Sequence, residues 1–164
     1  MNFQNGKHSI GGSNYHLQFT PKYRREVFKS MGVRNLCKAA FKKKARELGV
    51  NLESVEFGPD HVHLFVTNCK NFSASKLAFY FKGASSFYIR KHNLPIVKQK
   101  LWGKSFWSDG YFYETVGRVT AETVKFYIER QQKKHWQNTN HIRSIKNGKA
   151  IQTKIDKFTS KQIN

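Results

Sequence analysis

Two β-branched and aromatic-rich runs, residues 50–57 and 61–67, are separated only by Gly58-Pro59-Asp60, whose turn chemistry closes a hairpin. An antiparallel pair is therefore fixed near the middle of the chain, and the remaining elements have to be laid around it. Upstream, Tyr15, Leu17 and Phe19 alternate with His16, Gln18 and Thr20, the period of a half-buried strand, which Pro21 ends. Residues 34–48 set Leu36, Ala40, Phe41, Ala45 and Leu48 at helical spacing among Lys38, Lys42, Lys43, Lys44 and Arg46, with Gly49 as a stop. Ser73 or Ser75 can cap a second helix reaching Arg90, with Leu77, Tyr80, Phe81, Ala84, Phe87 and Tyr88 as its apolar face. Asn93-Leu94-Pro95 breaks that helix, and a Trp-rich connection, residues 101–110, leads to a fourth strand over 111–116. Thr120 then caps a third helix running to Trp136.

The order β-α-β-β-α-β-α predicts an α+β fold: the split βαβ antiparallel sheet of ferredoxin-like and RRM-like proteins, with one additional C-terminal helix. Helices cover one face of such a sheet and leave the other open for function. A length of 164 residues fits a single domain, and 38% hydrophobic with 15% aromatic residues supplies a core without staples. The expected organisation is a leader over 1–11, a domain over 12–137 and a basic tail over 138–164, where Arg143 and five lysines face a single aspartate.

Thirty Lys and Arg against ten Asp and Glu give a net charge of +20, which calls for a polyanionic partner, nucleic acid before an anionic membrane surface. No apolar run approaches the roughly 20 residues a membrane span needs, and the first residues carry no apolar signal segment. The expectation is a cytoplasmic protein without a membrane partner. Cys37 and Cys69 have no CxxC companion and read as ordinary reduced residues rather than a zinc or disulfide framework.

The sharpest chemical feature is His61-Val62-His63. On a strand, residues two apart point the same way, about 6.6 Å apart along the backbone, so both imidazoles share a face while Val62, Leu64 and Val66 enter the core. Two such rings can share one metal ion; the competing reading is a pair of surface histidines. Asp60 either serves the turn, the reading favoured here, or orients an imidazole as an outer partner. In the last helix Tyr127 and Gln131 are four apart and lie on one helical face, where a hydroxyl nucleophile and an oxygen ligand would adjoin. A phenol with a pKa near 10 attacks a phosphodiester at neutral pH only with help from a metal or base, so that pair matters chiefly alongside the histidines.

Five segments in order, Tyr15–Arg25 (YHLQFTPKYRR), Gly58–Val66 (GPDHVHLFV), Lys82–Ser86 (KGASS), Trp107–Gly117 (WSDGYFYETVG) and Tyr127–Gln131 (YIERQ), resemble the HUH-type single-tyrosine transposases of the smallest prokaryotic insertion sequences. The resemblance spans roughly residues 12–136. It implies that His61 and His63 bind a divalent cation, that Gln131 completes the metal shell, and that Tyr127 is the nucleophile. Such enzymes cut single-stranded DNA, often at hairpins marking element ends, through a 5′-phosphotyrosine link and a free 3′-hydroxyl. They work as homodimers whose active sites can be shared between chains, with Mg2+ or Mn2+. Two imidazoles suit a transition metal better than magnesium, a conflict reduced if water and phosphate oxygens fill the remaining positions.

The charge and aromatic pattern nominates Lys22, Arg24, Arg25, Lys42, Lys43, Lys82 and Lys104 for the DNA backbone. Trp107 is nominated for stacking on unpaired bases, while Phe79, Tyr80, Phe106 and Tyr111 are assigned mainly to the core. Three other functions compete. A repeat-associated tyrosine transposase acting on dispersed palindromes would use the same residues. A non-catalytic RRM-like module for single-stranded nucleic acid should carry an RNP motif, which the sequence lacks. A metal-free His/His phosphoesterase would leave Tyr127 and Gln131 idle. A carboxylate-based transposase is disfavoured, since the three aspartates, Asp60, Asp109 and Asp156, form no cluster.

Overall fold

The computed structural model describes residues 4–6, 9–101 and 103–117, with side chains for 12–101 and 103–117. The chain divides into two compact units, Met1–Lys125 and Phe126–Asn164, and every described residue belongs to the first. The third helix expected from Thr120, with Tyr127 and Gln131, and the tail over 138–164 lie outside the described residues. In the expected leader, β1 (Gln4–Gly6) pairs antiparallel with β2 (Ser9–Gly11). Strands of three residues are too short to show a period, which is why the sequence reading misses them.

The main sheet contains β3 (Tyr15–Phe19), β4 (Asn51–Phe57), β5 (Val62–Thr67) and β6 (Phe112–Thr115) in the order β4-β5-β3-β6, every neighbour antiparallel. This is the expected split βαβ sheet. Leu17 pairs with Leu64 and Phe19 with Val62, which turns all four into the core. On β4 the register slips between Leu52 and Ser54, a bulge that lets Leu52 and Val55, three apart, both turn toward the core.

Two long helices pack on the core face. The first, α1 (Met31–Leu48), starts ahead of the expected Arg34 because Ser30 caps it, accepting from the Val33 N–H, and ends at Gly49 with φ 69°. It buries Val33, Cys37, Ala40, Phe41 and Ala45, so the stripe is turned slightly from the expected one and Leu36 and Leu48 sit at its margin. Cys37, a small hydrophobe in effect, takes a core position. Burial pushes its thiol pKa up, and that of buried Cys69 to about 12, so neither is a reactive thiol.

The second long helix, α2 (Ala74–His92), is capped by Ser73, which accepts from the Lys76 N–H at 3.2 Å. Its buried stripe is Ala74, Leu77, Ala78, Phe81, Ser85 and Ile89, whereas Phe87, expected inside, is exposed. Ser85 occupies the core because it has partners there: its hydroxyl donates to the Phe81 carbonyl at 2.7 Å and accepts the Trp107 Nε1–H at 2.9 Å. Pro95, read as a breaker, opens a further short helix, α3 (Pro95–Lys100), at a position where a missing N–H costs nothing.

Trp107 is 5% exposed and packs edge-on to Phe106 and Phe19, with Phe41 stacked nearby. Bonds from the Lys22 N–H to the Phe106 carbonyl and from the Ser108 N–H to the Thr20 carbonyl hold this segment against the end of β3. Among the described residues no helix is long and apolar enough to cross a membrane. Ser85→Ala orphans the indole N–H in the core and is expected to cost about 1–3 kcal/mol, read as a lowered midpoint in urea unfolding with an unchanged m-value.

Candidate active site

The pleat that sends Val62, Leu64 and Val66 into the core sends His63 and Phe65 to the opposite face, with His61 at the entrance of β5. The structure departs from the expected open face here. His61 and His63 are each 3% exposed and His16, on adjacent β3, is 1% exposed, so the imidazoles are buried polar groups rather than surface residues. The rings of His61 and His63 lie 4.9 Å apart between centroids and nearly perpendicular.

Buried imidazoles need fixed partners. His61 Nδ1 is 2.8 Å from Asp60 Oδ1, while Asp60 Oδ2 accepts from Arg24 Nε at 3.1 Å and pairs with its terminal nitrogen at 3.0 Å. Burial on its own would raise the Asp60 pKa, but the bond from His61 and the guanidinium of Arg24 outweigh it and hold the carboxyl well below the usual range. Asp60 therefore does both jobs weighed for it in the sequence: it sits in the turn that the Gly58 N–H to His61 carbonyl bond closes, and it orients the ring. Arg24, nominated for DNA, is the outer member of this chain.

Gly58 is a further requirement that the sequence reading missed. A Cβ there would lie 2.0 Å from His61 Cε1 and 2.5 Å from Nε2, so the imidazole occupies the space any side chain would need. Its signal in the sequence, a glycine three residues before a histidine in a tight turn, is too weak to read unaided. The second missed residue is His16: its Nε2 lies 3.0 Å from His63 Nδ1, the two rings stacked at 18°. Burial lowers the His16 pKa to about 4, so the ring is neutral at physiological pH.

The donor set suits a divalent cation. Both imidazoles are engaged at Nδ1, so Nε2 is the nitrogen each would turn toward a metal, and a carboxylate behind a ligating histidine is a recurrent outer-shell arrangement. Among the described residues no group of three or more His, Cys, Asp or Glu side chains is arranged to hold a metal, so two histidines would need a donor of another kind.

Apart from Arg24, the nominated DNA residues do not gather at this site. Lys42 and Lys43 lie on α1, beyond the core face of the sheet, where the Lys43 ammonium donates to the Tyr88 hydroxyl. Lys22 pairs with Asp109 at 3.0 Å, and Arg25 is an exposed residue of the loop after β3. The Lys82 ammonium donates to the carbonyls of Ser108, Asp109 and Gly110, at 2.7, 3.0 and 3.2 Å, and ties that loop to α2. Lys82, Lys104 and Trp107 nevertheless line one surface groove of about 460 Å³ together with Phe79 and Tyr111. Burial runs against the aromatic assignment there: Trp107 is a buried core residue, and Phe79, assigned to the core from sequence, is 73% exposed.

Residues 9–131 match the family model described as "Transposase IS200 like". The chain is 31% identical over 124 residues to the transposase for insertion sequence element IS200 of Salmonella typhimurium, covering 76% of this chain and 80% of the relative. It is 29% identical over 136 residues to the ISDra2 transposase TnpA of Deinococcus radiodurans, covering 82% and 94%. A solved transposase structure from Deinococcus radiodurans R1 superposes with a TM-score of 0.61 at 29% identity, covering 78% of this chain and 97% of the other.

Gly58→Ala is expected to displace the His61 ring from its seat and from Asp60, read as shifted His61 ring resonances in NMR, while cooperative thermal unfolding persists. Unchanged resonances would show that the ring keeps its seat.

Proposed function

The chain belongs to the IS200-like family of single-tyrosine transposases, and on that premise we propose that it cuts and rejoins single-stranded DNA at insertion-sequence ends through a 5′-phosphotyrosine intermediate. The observation that carries this reading is the buried pair His61 and His63, with Asp60 and His16 at their Nδ1 atoms, in a chain whose family match extends through Tyr127 and Gln131. His61, His63 and Gln131 would hold the divalent cation, Mg2+ in the cell with Mn2+ also effective. When bound, the cation supplies positive charge that polarises the scissile phosphate.

The Tyr127 hydroxyl attacks phosphorus. The bond from its oxygen to phosphorus forms, the bond from phosphorus to the 3′-oxygen breaks, the phenolic proton is lost and the departing 3′-oxygen is protonated. Joining is the same exchange in reverse, with the 3′-hydroxyl of another cleaved strand attacking the phosphotyrosine. Bond energy is conserved and no nucleotide is consumed. Each chain supplies one tyrosine, so two element ends call for two chains, and we assign the acting form as a homodimer in the cytoplasm. The catalytic domain is taken as residues 12–137. The groove beside α2 is assigned to hairpin DNA, with Lys104 toward the backbone and Phe79 stacking on a base.

Labelled single strands from the flanks of the gene, incubated with protein and Mn2+ and run on a denaturing gel, test the reaction. A covalent adduct on single but not double strands is expected, lost with chelator and reduced more than about 10³-fold in Tyr127→Phe. Cleavage that survives this substitution would pass the reading to a His/His phosphoesterase. Phe79→Ala is expected to weaken hairpin binding by about 5–100-fold in fluorescence anisotropy, the worth of one base stack, without altering thermal stability.

A further inference from the structure

His16 takes no part in the chemistry proposed above, yet it is one of the most completely buried polar residues described, 1% exposed and aimed at His63 across the sheet. In the register of β3 with β5, His16 stands opposite Phe65 while Gln18 stands opposite His63. His16 and His63 are therefore diagonal neighbours on one face of two hydrogen-bonded strands, close enough for their side chains to meet and with no loop between them to relax. Their nitrogens stand 3.0 Å apart, and the rings stack with centroids 5.1 Å apart.

One proton lies between these nitrogens, and there are two ways to place it. Either His63 donates from Nδ1 and His16 accepts at Nε2, or the reverse. Only the first leaves His63 with its lone pair on Nε2, the nitrogen a metal would take. We propose that His16 is the positioning residue of the metal centre: it accepts the Nδ1 proton of His63, fixing the tautomer and ring orientation in which His63 binds a divalent cation through Nε2. The proposal rests on the reading of His63 as a metal ligand. His16 would then serve His63 as Asp60 serves His61, with a neutral acceptor in one case and a carboxylate in the other. The arrangement also moves the remaining His16 proton to Nδ1, an atom with no hydrogen-bond partner among the described residues. A cation at His63 Nε2 would select this proton placement, because only there does that nitrogen carry its lone pair.

Mn2+ calorimetry on the full chain tests this, comparing wild type, His16→Leu, which removes the acceptor, and His16→Gln, whose amide oxygen can replace it. The expected result is affinity lowered about 10–100-fold in His16→Leu and restored to within a few-fold of wild type in His16→Gln, both variants unfolding cooperatively without metal. A merely structural role would not separate two substitutions by their ability to accept a hydrogen bond. Wild-type affinity in His16→Leu overturns the proposal and leaves the metal centre standing; no binding by the wild-type chain overturns both. Should His16→Leu fail to fold, imidazole nitrogen NMR of the Zn2+-loaded wild type decides: a proton on His63 Nδ1 with bare His16 Nε2 is expected, and the opposite placement overturns it.

Discussion

The pleat of β5 is the constraint from which the rest of this structure follows. Its alternation commits Val62, Leu64 and Val66 to the core and, with the same backbone, commits His63 and Phe65 to the other side. A one-residue slip would put imidazoles among the phenylalanines and valines among the polar groups. Register and chemistry are thus specified by one physical fact, and the strands on either side complete it. From β3 comes His16, and from the turn preceding β5 come Gly58 and Asp60.

Much of this was legible in the sequence because it depends on short-range patterns. The 50–67 hairpin, the alternation of 15–19, the Ser73 cap and the Gly49 stop are local in cause and were readable locally. The same holds for the shared direction of His61 and His63. What was not legible depends on partners far apart along the chain. Nothing near Ser85 announces that an indole 22 residues later will bond it in the core, or that Phe79 and Phe87 on the same helix will be exposed. The pairing of His16 with His63 emerges only when β3 is laid against β5 in register, and both jobs of Asp60 show only once its bond to the His61 ring is seen beside the turn. Tyr127 and Gln131 rest on the family's motif and the extent of its match, since they lie outside the described residues.

The charge of the chain is similarly more articulated than its sum. A net +20 points to a polyanion, yet several of the cations that suggested it are occupied by the protein itself. Lys22 pairs with Asp109, Lys82 gathers three carbonyls, and Arg24 anchors Asp60. Each positions a loop or a ring. Basic composition therefore suggests a class of partner without naming the residues that would meet it, because a lysine needed to fold and a lysine needed to bind look alike in sequence.

The sheet order has a consequence for how the histidine site can open. β5 is an interior strand, bonded to β4 on one edge and β3 on the other, and its far side is packed into the core. Local opening is easiest at frayed ends and solvated loops, and hardest at such a strand, whose exchange with solvent requires loss of most of the fold. His63 accordingly sits within the best-protected strand of the sheet, with His61 at its entrance. A change of temperature or denaturant that opens the strand around His63 is then expected to take the rest of the sheet with it.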